Sequence, residues 1–353
     1  MPKNTHRLSR RSMLNLGLKA AATAGLTSFL RPVSAAATSD RVCVCIYLLG
    51  GNDSNNMIVP LDGPAYNAYA SGRGGLALAA SSLLPVQSLS TSSSYGFHPA
   101  LSGVQDLYNR RALAVVANVG RASTALTTST ALIKGQFDPA QLPADLFLHT
   151  GAAQVQFLPS GSLAVSWDAA AAQNDRAMRS SIVPGATLSQ RLAQVANELS
   201  SSSSRCTFTV ALSGFDTHAD ELARQASLFA ELNDGLVSFC QSLQDLGISN
   251  RVTVFTSTEF NRTLVPNARG GTDHAWGGHN LVLGGPVLGG EFYGRFPSLA
   301  VGGPDDLGAS GIWIPSVTDE QFSATLARWY GADLTQSFRH VPVDSPDLAF
   351  LVG

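Results

Sequence analysis

The chain has 353 residues, a formal net charge of −2 and only 14% charged residues. It carries no basic block beyond its first dozen residues, so it lacks the electrostatic footprint of a nucleic-acid-binding protein. Its length is ample for a large core. Four cysteines are present, none with zinc-site spacing. Cys43 and Cys45 alternate along one strand and read as buried thiols, whereas Cys206 and Cys240 are compatible with a disulfide.

Ser9-Arg10-Arg11-Ser12-Met13-Leu14 is a twin-arginine export pattern, followed by a moderately apolar stretch at 20–30 and a small-residue exit at 33–36. Residues 1–36 therefore read as a signal peptide and 37–353 as a single mature domain. The apolar stretch is too short to span a bilayer, which takes about 20 residues. The expectation is a periplasmic or secreted protein that meets the twin-arginine export machinery and has neither a stable membrane span nor a nucleic-acid partner.

Strands are expected at 42–49, 113–119, 207–212 and 252–256, each a short apolar run rich in β-branched residues and without polar alternation. Such runs are typical of parallel sheets buried beneath helices. Helices are expected at 99–111, 187–199, 219–246 and 319–330, the last entered through Thr318. The third presents Leu222, Phe229, Leu232, Leu236, Phe239 and Leu243 as its apolar face. Serine-rich stretches at 81–94 and 200–204 read as loops, and 284–294 as a turn or hairpin. Strand, helix and strand across 207–256 make a βαβ unit with parallel strands and a right-handed crossover. Residues 120–186 give no readable pattern. The fold class is α/β with a mostly parallel sheet.

Chemistry-bearing residues cluster beside these strands: GGND at 50–53, SGFDTH at 213–218, STEF at 257–260 and GTDHAWGGH at 271–279. In open α/β sheets ligands bind beyond the carboxyl ends of the strands, so motifs far apart in sequence converge there. Carboxylate oxygens beside neutral imidazoles suit a divalent metal. Asp216 and His218, one residue apart on a loop, are candidate ligands of one ion. Asp53 reads either as a metal contact or as a helix N-cap, and Glu259 either as a ligand or as an ion-pair partner of Arg262. Asp273, His274 and His279 lie in a glycine-rich loop and supply ligands or acid–base groups. Trp276 reads as a packing anchor, and His98, before Pro99, caps or packs against a helix start. His340 has no motif around it.

Taken in order, the Ser-Arg-Arg signal, GGND, GFDTH, S-x-E-F-x-R, GTDHxWGGH, Tyr-Gly-Arg-Phe-Pro and the late Ala-Thr-Leu-Ala-Arg-Trp-Tyr helix resemble a bacterial twin-arginine-exported family known as domain of unknown function 1501. That family is related to the alkaline phosphatase and sulfatase superfamily. The resemblance implies a three-layer α/β/α sandwich, alkaline phosphatase-like, and a site holding a divalent metal (Zn, Mn or Ca) that acts on phosphate or sulfate esters. It places Asp53 on a metal beside the nucleophile, Asp216 and His218 on one metal, Glu259 on a second, and His274 or His279 as the late histidine.

This chain departs from the pattern twice. Phe260 follows Glu259 where many superfamily members carry histidine, and Leu148-His149 stands where relatives carry Ser-His. His149 and Thr150 are then the candidates for chemistry at the missing serine, with His274 as a further catalytic group. The expected function is an exported metal-dependent hydrolase of phosphate or sulfate esters, small or polymer-borne. The alternative is a catalytically decayed binding or structural protein on the same scaffold.

Overall fold

The apolar run VCVCIYLL forms strand β1 (Val42–Leu49), buried along nearly its whole length. It is followed by a single helical turn α1 (Ser54–Met57), β2 (Ile58–Pro60), α2 (Gly63–Arg73), the paired strands β3 (Leu84–Gln87) and β4 (Ser94–Phe97), α3 (Ser102–Asn109) and β5 (Leu113–Gly120). Strands β6 (Gln154–Phe157) and β7 (Leu163–Ser166) pair antiparallel. Then come α4 (Leu188–Ser201), β8 (Cys206–Ser213), α5 (Glu221–Asp245), β9 (Val252–Thr258), β10 (Asn261–Arg262), β11 (His274–Ala275), β12 (Gly278–Gly284), β13 (Phe292–Tyr293), β14 (Val317–Thr318) and α6 (Asp319–Tyr330). The structure is a computed structural model describing residues 40–120, 154–157, 163–166, 186–201, 203, 205–258, 261–331 and 347–352. The expected export signal, the segment containing Leu148, His149 and Thr150, Glu259 with Phe260, and His340 lie outside the described residues.

The central sheet runs β13-β5-β12-β9-β1-β8, with β14 also pairing β5. β1 is parallel to both β8 and β9, and β13 and β14 are parallel to β5. Only β12 runs against its neighbours, β5 and β9. The reason is local: β10 and β11 pair antiparallel, so the chain leaving β9 turns back through a long hairpin and needs no crossover helix. The expected βαβ unit is present, with β8 and β9 pointing the same way, but β1 lies between them.

Alternation along the strands divides the core. Val42, Val44, Ile46 and Leu48 of β1 pack in one cluster with residues of α3, α4 and α5. On the opposite face Cys43 packs with Ala327, Trp329 and Tyr330 of α6, while Ala114, Val116 and Val282 meet Phe322 and Leu326. Helices therefore cover both faces of a mostly parallel sheet, as the fully apolar strands require.

Two details differ from the sequence reading. On α5 the buried stripe is Glu221, Gln225, Phe229, Leu232, Leu236, Phe239 and Leu243. Leu222 is out of phase with it and 37% exposed, so two polar side chains point inward where an apolar one was expected. All four cysteines are buried free thiols, so the compatible Cys206–Cys240 disulfide is not formed. As expected, α6 begins at Thr318, whose hydroxyl accepts from Gln321 N while the Gln321 side chain answers the Thr318 backbone.

Candidate metal centre

Because β12 is reversed, its first residues lie at the edge of the sheet where β1, β8 and β9 end. A motif preceding a strand thereby meets motifs that follow strands. Asp216 and His218 come from the loop after β8 and His274 from β11, and their ligand atoms form the single three-residue group able to hold a metal among the described residues. His218 Nε2 is 3.0 Å from Asp216 Oδ1 and 3.2 Å from His274 Nε2, and the third side, His274 Nε2 to Asp216 Oδ1, is 3.4 Å. Donors bound to one ion at tetrahedral angles with bonds near 2.0–2.1 Å stand about 3.3 Å apart. The three atoms match that spacing, and the donor set of two imidazoles and one carboxylate suits zinc.

His218 is oriented from behind. Its Nδ1 donates to Asp273 Oδ1 at 3.1 Å, which turns the Nε2 lone pair toward the centre; carboxylates serve metal-ligating histidines in this way elsewhere. Asn267 Nδ2 also donates to Asp273 Oδ1, at 3.2 Å. Partial burial raises the Asp273 carboxyl, but these hydrogen bonds, with the charge of Arg262, outweigh it and hold the group below the usual carboxylate range. His274 meets the His218 ring edge-on at 4.9 Å. Burial, reinforced by the Arg262 charge, lowers it to about 4, so it is a neutral imidazole near neutral pH.

Arg262 on β10 has no exposed side-chain surface. Its Nη1 reaches Asp216 Oδ1 at 2.9 Å, His274 Nδ1 at 3.2 Å and Gly50 O at 3.3 Å. Its Nη2 and Nε are held by Thr272 O at 2.8 Å and Thr272 Oγ1 at 3.2 Å. Beneath it lies the buried carboxyl of Glu221 at the start of α5. Glu221 accepts from Thr217 Oγ1 at 2.9 Å and from Thr272 Oγ1 at 2.7 Å. The threonines inside GFDTH and GTDH thus tie both ligand loops to one helix. Two glycines permit this approach. A Cβ on Gly50, whose φ is +110°, would lie 2.4 Å from Asp216 N, and one on Gly271 2.2 Å from the carbonyl carbon of His218.

Other expected site residues lie elsewhere. Asp53 does not join the group: it caps α1 by accepting from Asn55 N at 3.0 Å, and its other oxygen is ion-paired with Arg73. Both side chains are wholly buried, so the N-cap reading holds and the metal contact is replaced by a guanidinium. His279 is fully buried, accepts from Asn118 N at 3.0 Å and stacks on Phe296 at 4.4 Å between centroids. Burial lowers it to about 3, making it a neutral core histidine. Asp273 stands behind His218, and His274, expected as a ligand or an acid–base group, offers an atom to the group that could hold an ion.

His98 accepts from Ala100 N at 3.0 Å, as a residue at a helix start would. Trp276 is 4% exposed and packs with Ala275 and Ile312. Glu259, His149 and Thr150 lie outside the described residues. Sequence reasoning passed over Thr217, Thr272, Glu221 and Arg73, and treated Arg262 only as a partner for Glu259. A threonine beside the acidic residue in both GFDTH and GTDH was the available signal.

Fold and site together define an α/β protein with a candidate single-ion centre at the edge of its sheet. Residues 195–338 match the model of a family described as "Protein of unknown function (DUF1501)", which supports the family resemblance carried by the motifs. No curated protein matches the chain. Among solved structures it is similar to one described as "Crystal structure of Ps i-CgsB in complex with k-i-k-neocarrahexaose", at 9% identity and a TM-score of 0.42, covering 84% of this chain and 74% of that one.

Proposed function

We propose that the chain is an exported metal-dependent hydrolase, alkaline phosphatase-like in its scaffold, acting on phosphate or sulfate esters. The supporting observation is the triangle of Asp216 Oδ1, His218 Nε2 and His274 Nε2 with sides of 3.0, 3.2 and 3.4 Å, matched to zinc and backed by the carboxylate that orients His218. Asp216 is 55% exposed in its side chain, so the group opens to solvent and can meet a polymer-borne or a small ester. An ion held there supplies Lewis acidity toward an ester oxygen and toward water. Arg262 adds a permanent positive charge that favours an anionic ester and the charge developing on it. His274, kept neutral, can ligate without losing a proton.

A second reading also has support. Arg73 and Arg262 sit against the carboxylates of Asp53 and Asp216, where a hydrolase of this kind would use metal charge. On that reading the chain is a decayed exported binding or structural protein whose ion pairs stand in for lost ions. Metal analysis of purified protein, followed by a screen of phosphate and sulfate esters with added Zn²⁺, Mn²⁺ or Ca²⁺, separates the two. Turnover abolished by Asp216→Ala supports the enzyme; protein that takes up no metal and turns over nothing supports the scaffold.

A further inference from the structure

The ligand triangle has a charged neighbour that competes for the same atoms. Arg262 Nη1 lies 2.9 Å from Asp216 Oδ1, the carboxylate oxygen of the triangle, and 3.2 Å from His274 Nδ1. A guanidinium only donates. Facing it, His274 Nδ1 is best matched as an acceptor, which assigns the proton of a neutral His274 to Nε2. That proton lies on the atom that an ion would need free. His218 is arranged the other way round, with Nδ1 donating to Asp273 and Nε2 left as an acceptor beside His274 Nε2 and Asp216 Oδ1. A continuous donor chain results without any ion: Arg262 Nη1 to His274 Nδ1, then His274 Nε2 to His218 Nε2 at 3.2 Å, then His218 Nδ1 to Asp273.

We propose that Arg262 is a built-in counter-cation that holds this ion-free arrangement and sets how tightly the site takes a divalent ion. The inference rests on the metal reading above and concerns its regulation. Binding an ion requires His274 to transfer its proton from Nε2 to Nδ1, which sets an N–H against the guanidinium and forces the two apart. It also brings a double positive charge close to a fixed single one, where repulsion in a partly buried site is strong. A guanidinium keeps its charge near neutral pH, and Gly50 and Thr272, the latter anchored in turn to Glu221, restrict its retreat. Any ligand that draws Arg262 from Asp216, such as the anionic group of an ester, would tighten ion binding, so ion and anion should bind cooperatively.

The test pairs a variant with a measurement on the unaltered protein. Zinc titration by calorimetry of Arg262→Met, which keeps the aliphatic stem, should show affinity roughly tenfold or more above the parent. Inorganic phosphate should tighten zinc binding to the parent and leave the variant unmoved. Nitrogen-15 correlation spectra of the metal-free parent should place the His274 proton on Nε2, with a shift to Nδ1 on saturation with zinc. This needs no substitution, so it decides the matter even if the variant does not fold. Equal affinities, or a proton on Nδ1 of His274 before zinc is added, would overturn the role given to Arg262 while leaving the metal site standing. Zinc binding to neither protein would overturn the metal reading and the tuning with it.

Discussion

Asp53 and Arg73 form an ion pair in which neither side chain has any exposed surface, whereas Asp216, also paired to an arginine, is more than half exposed. Arg73 is held further by Asn56 Oδ1 and by the Thr263 and Leu264 carbonyls, and burial lowers it to about 10. The two carboxylates should therefore respond differently to removal. Asp53→Ala strands a buried guanidinium and is expected to cost about 3–5 kcal/mol of stability with little change in zinc affinity. Asp216→Ala should cost far less in metal-free protein but abolish stabilisation by zinc, which for a native-state ligand is about 2.7 kcal/mol at a hundredfold excess over Kd. Urea denaturation with and without zinc measures both. A folded Asp53→Ala protein that no longer binds zinc would return Asp53 to the metal site.

Asp273 offers a narrower test, because of the three ligand side chains its carboxylate meets only His218, from the rear, with Asn267 as its other donor. Asp273→Ala is predicted to lower zinc affinity about 10–100-fold and to leave the urea midpoint almost unchanged, since its side chain is 57% exposed. Calorimetric titration beside a denaturation curve reads the two effects separately. A fall in stability without a fall in affinity would mean that Asp273 serves the loop and not the ligand.

Adjacent glycines allow a paired comparison. Gly271→Ala pushes a Cβ into the His218 main chain, whereas Gly270→Ala, at a φ of +69°, meets open space. The first should cost about 1–3 kcal/mol and weaken zinc binding by displacing His218. The second should cost about 1–2 kcal/mol through its left-handed backbone with affinity kept. Equal zinc affinity in the two variants would show that the backbone contact does not position the ligand.

Acid should destabilise the metal-free protein through its buried histidines. Burial lowers His279 to about 3 and His98 to about 4, both below the ordinary value of about 6.5. The unfolded chain therefore binds more protons between those values. Their contribution is complete above pH ~6.5 and is lost as pH falls toward 3–4. His274, lowered to about 4, acts with the same sign. Urea midpoints followed across that window should decline steeply for the parent and less steeply for His279→Asn. An unchanged slope in that variant would remove His279 from the account.

Much of the scaffold could be read from local pattern. The continuous apolar run 42–49 appears as β1 with those limits, and Thr318 starts α6 with the reciprocal hydrogen bonds its spacing to Gln321 allows. Asp216 and His218 could be paired because one loop carries both. Partner choice could not be read, since it depends on what surrounds a side chain and not on its type. Asp53 meets Arg73 because both are driven into the same dry space, and His279 faces Phe296 although its motif neighbour His274 faces the site. Leu222 shows the same limit on a helix: it is apolar, yet the stripe through Glu221 and Gln225 leaves it outside.

The reversed strand β12 also makes the middle of the sheet depend on a late part of the chain. It lies between β5 and β9, so the middle of the sheet is filled by residues 278–284, which follow nearly all of the other long strands in the chain. Until they arrive, β5 and β9 each offer an unpaired edge of apolar backbone, the kind of edge that recruits other chains. The same late segment is contiguous with His274 on β11. A chain halted before Gly278 would therefore carry all three ligand residues yet leave both edges open, and it should be prone to aggregate before it has any use for an ion.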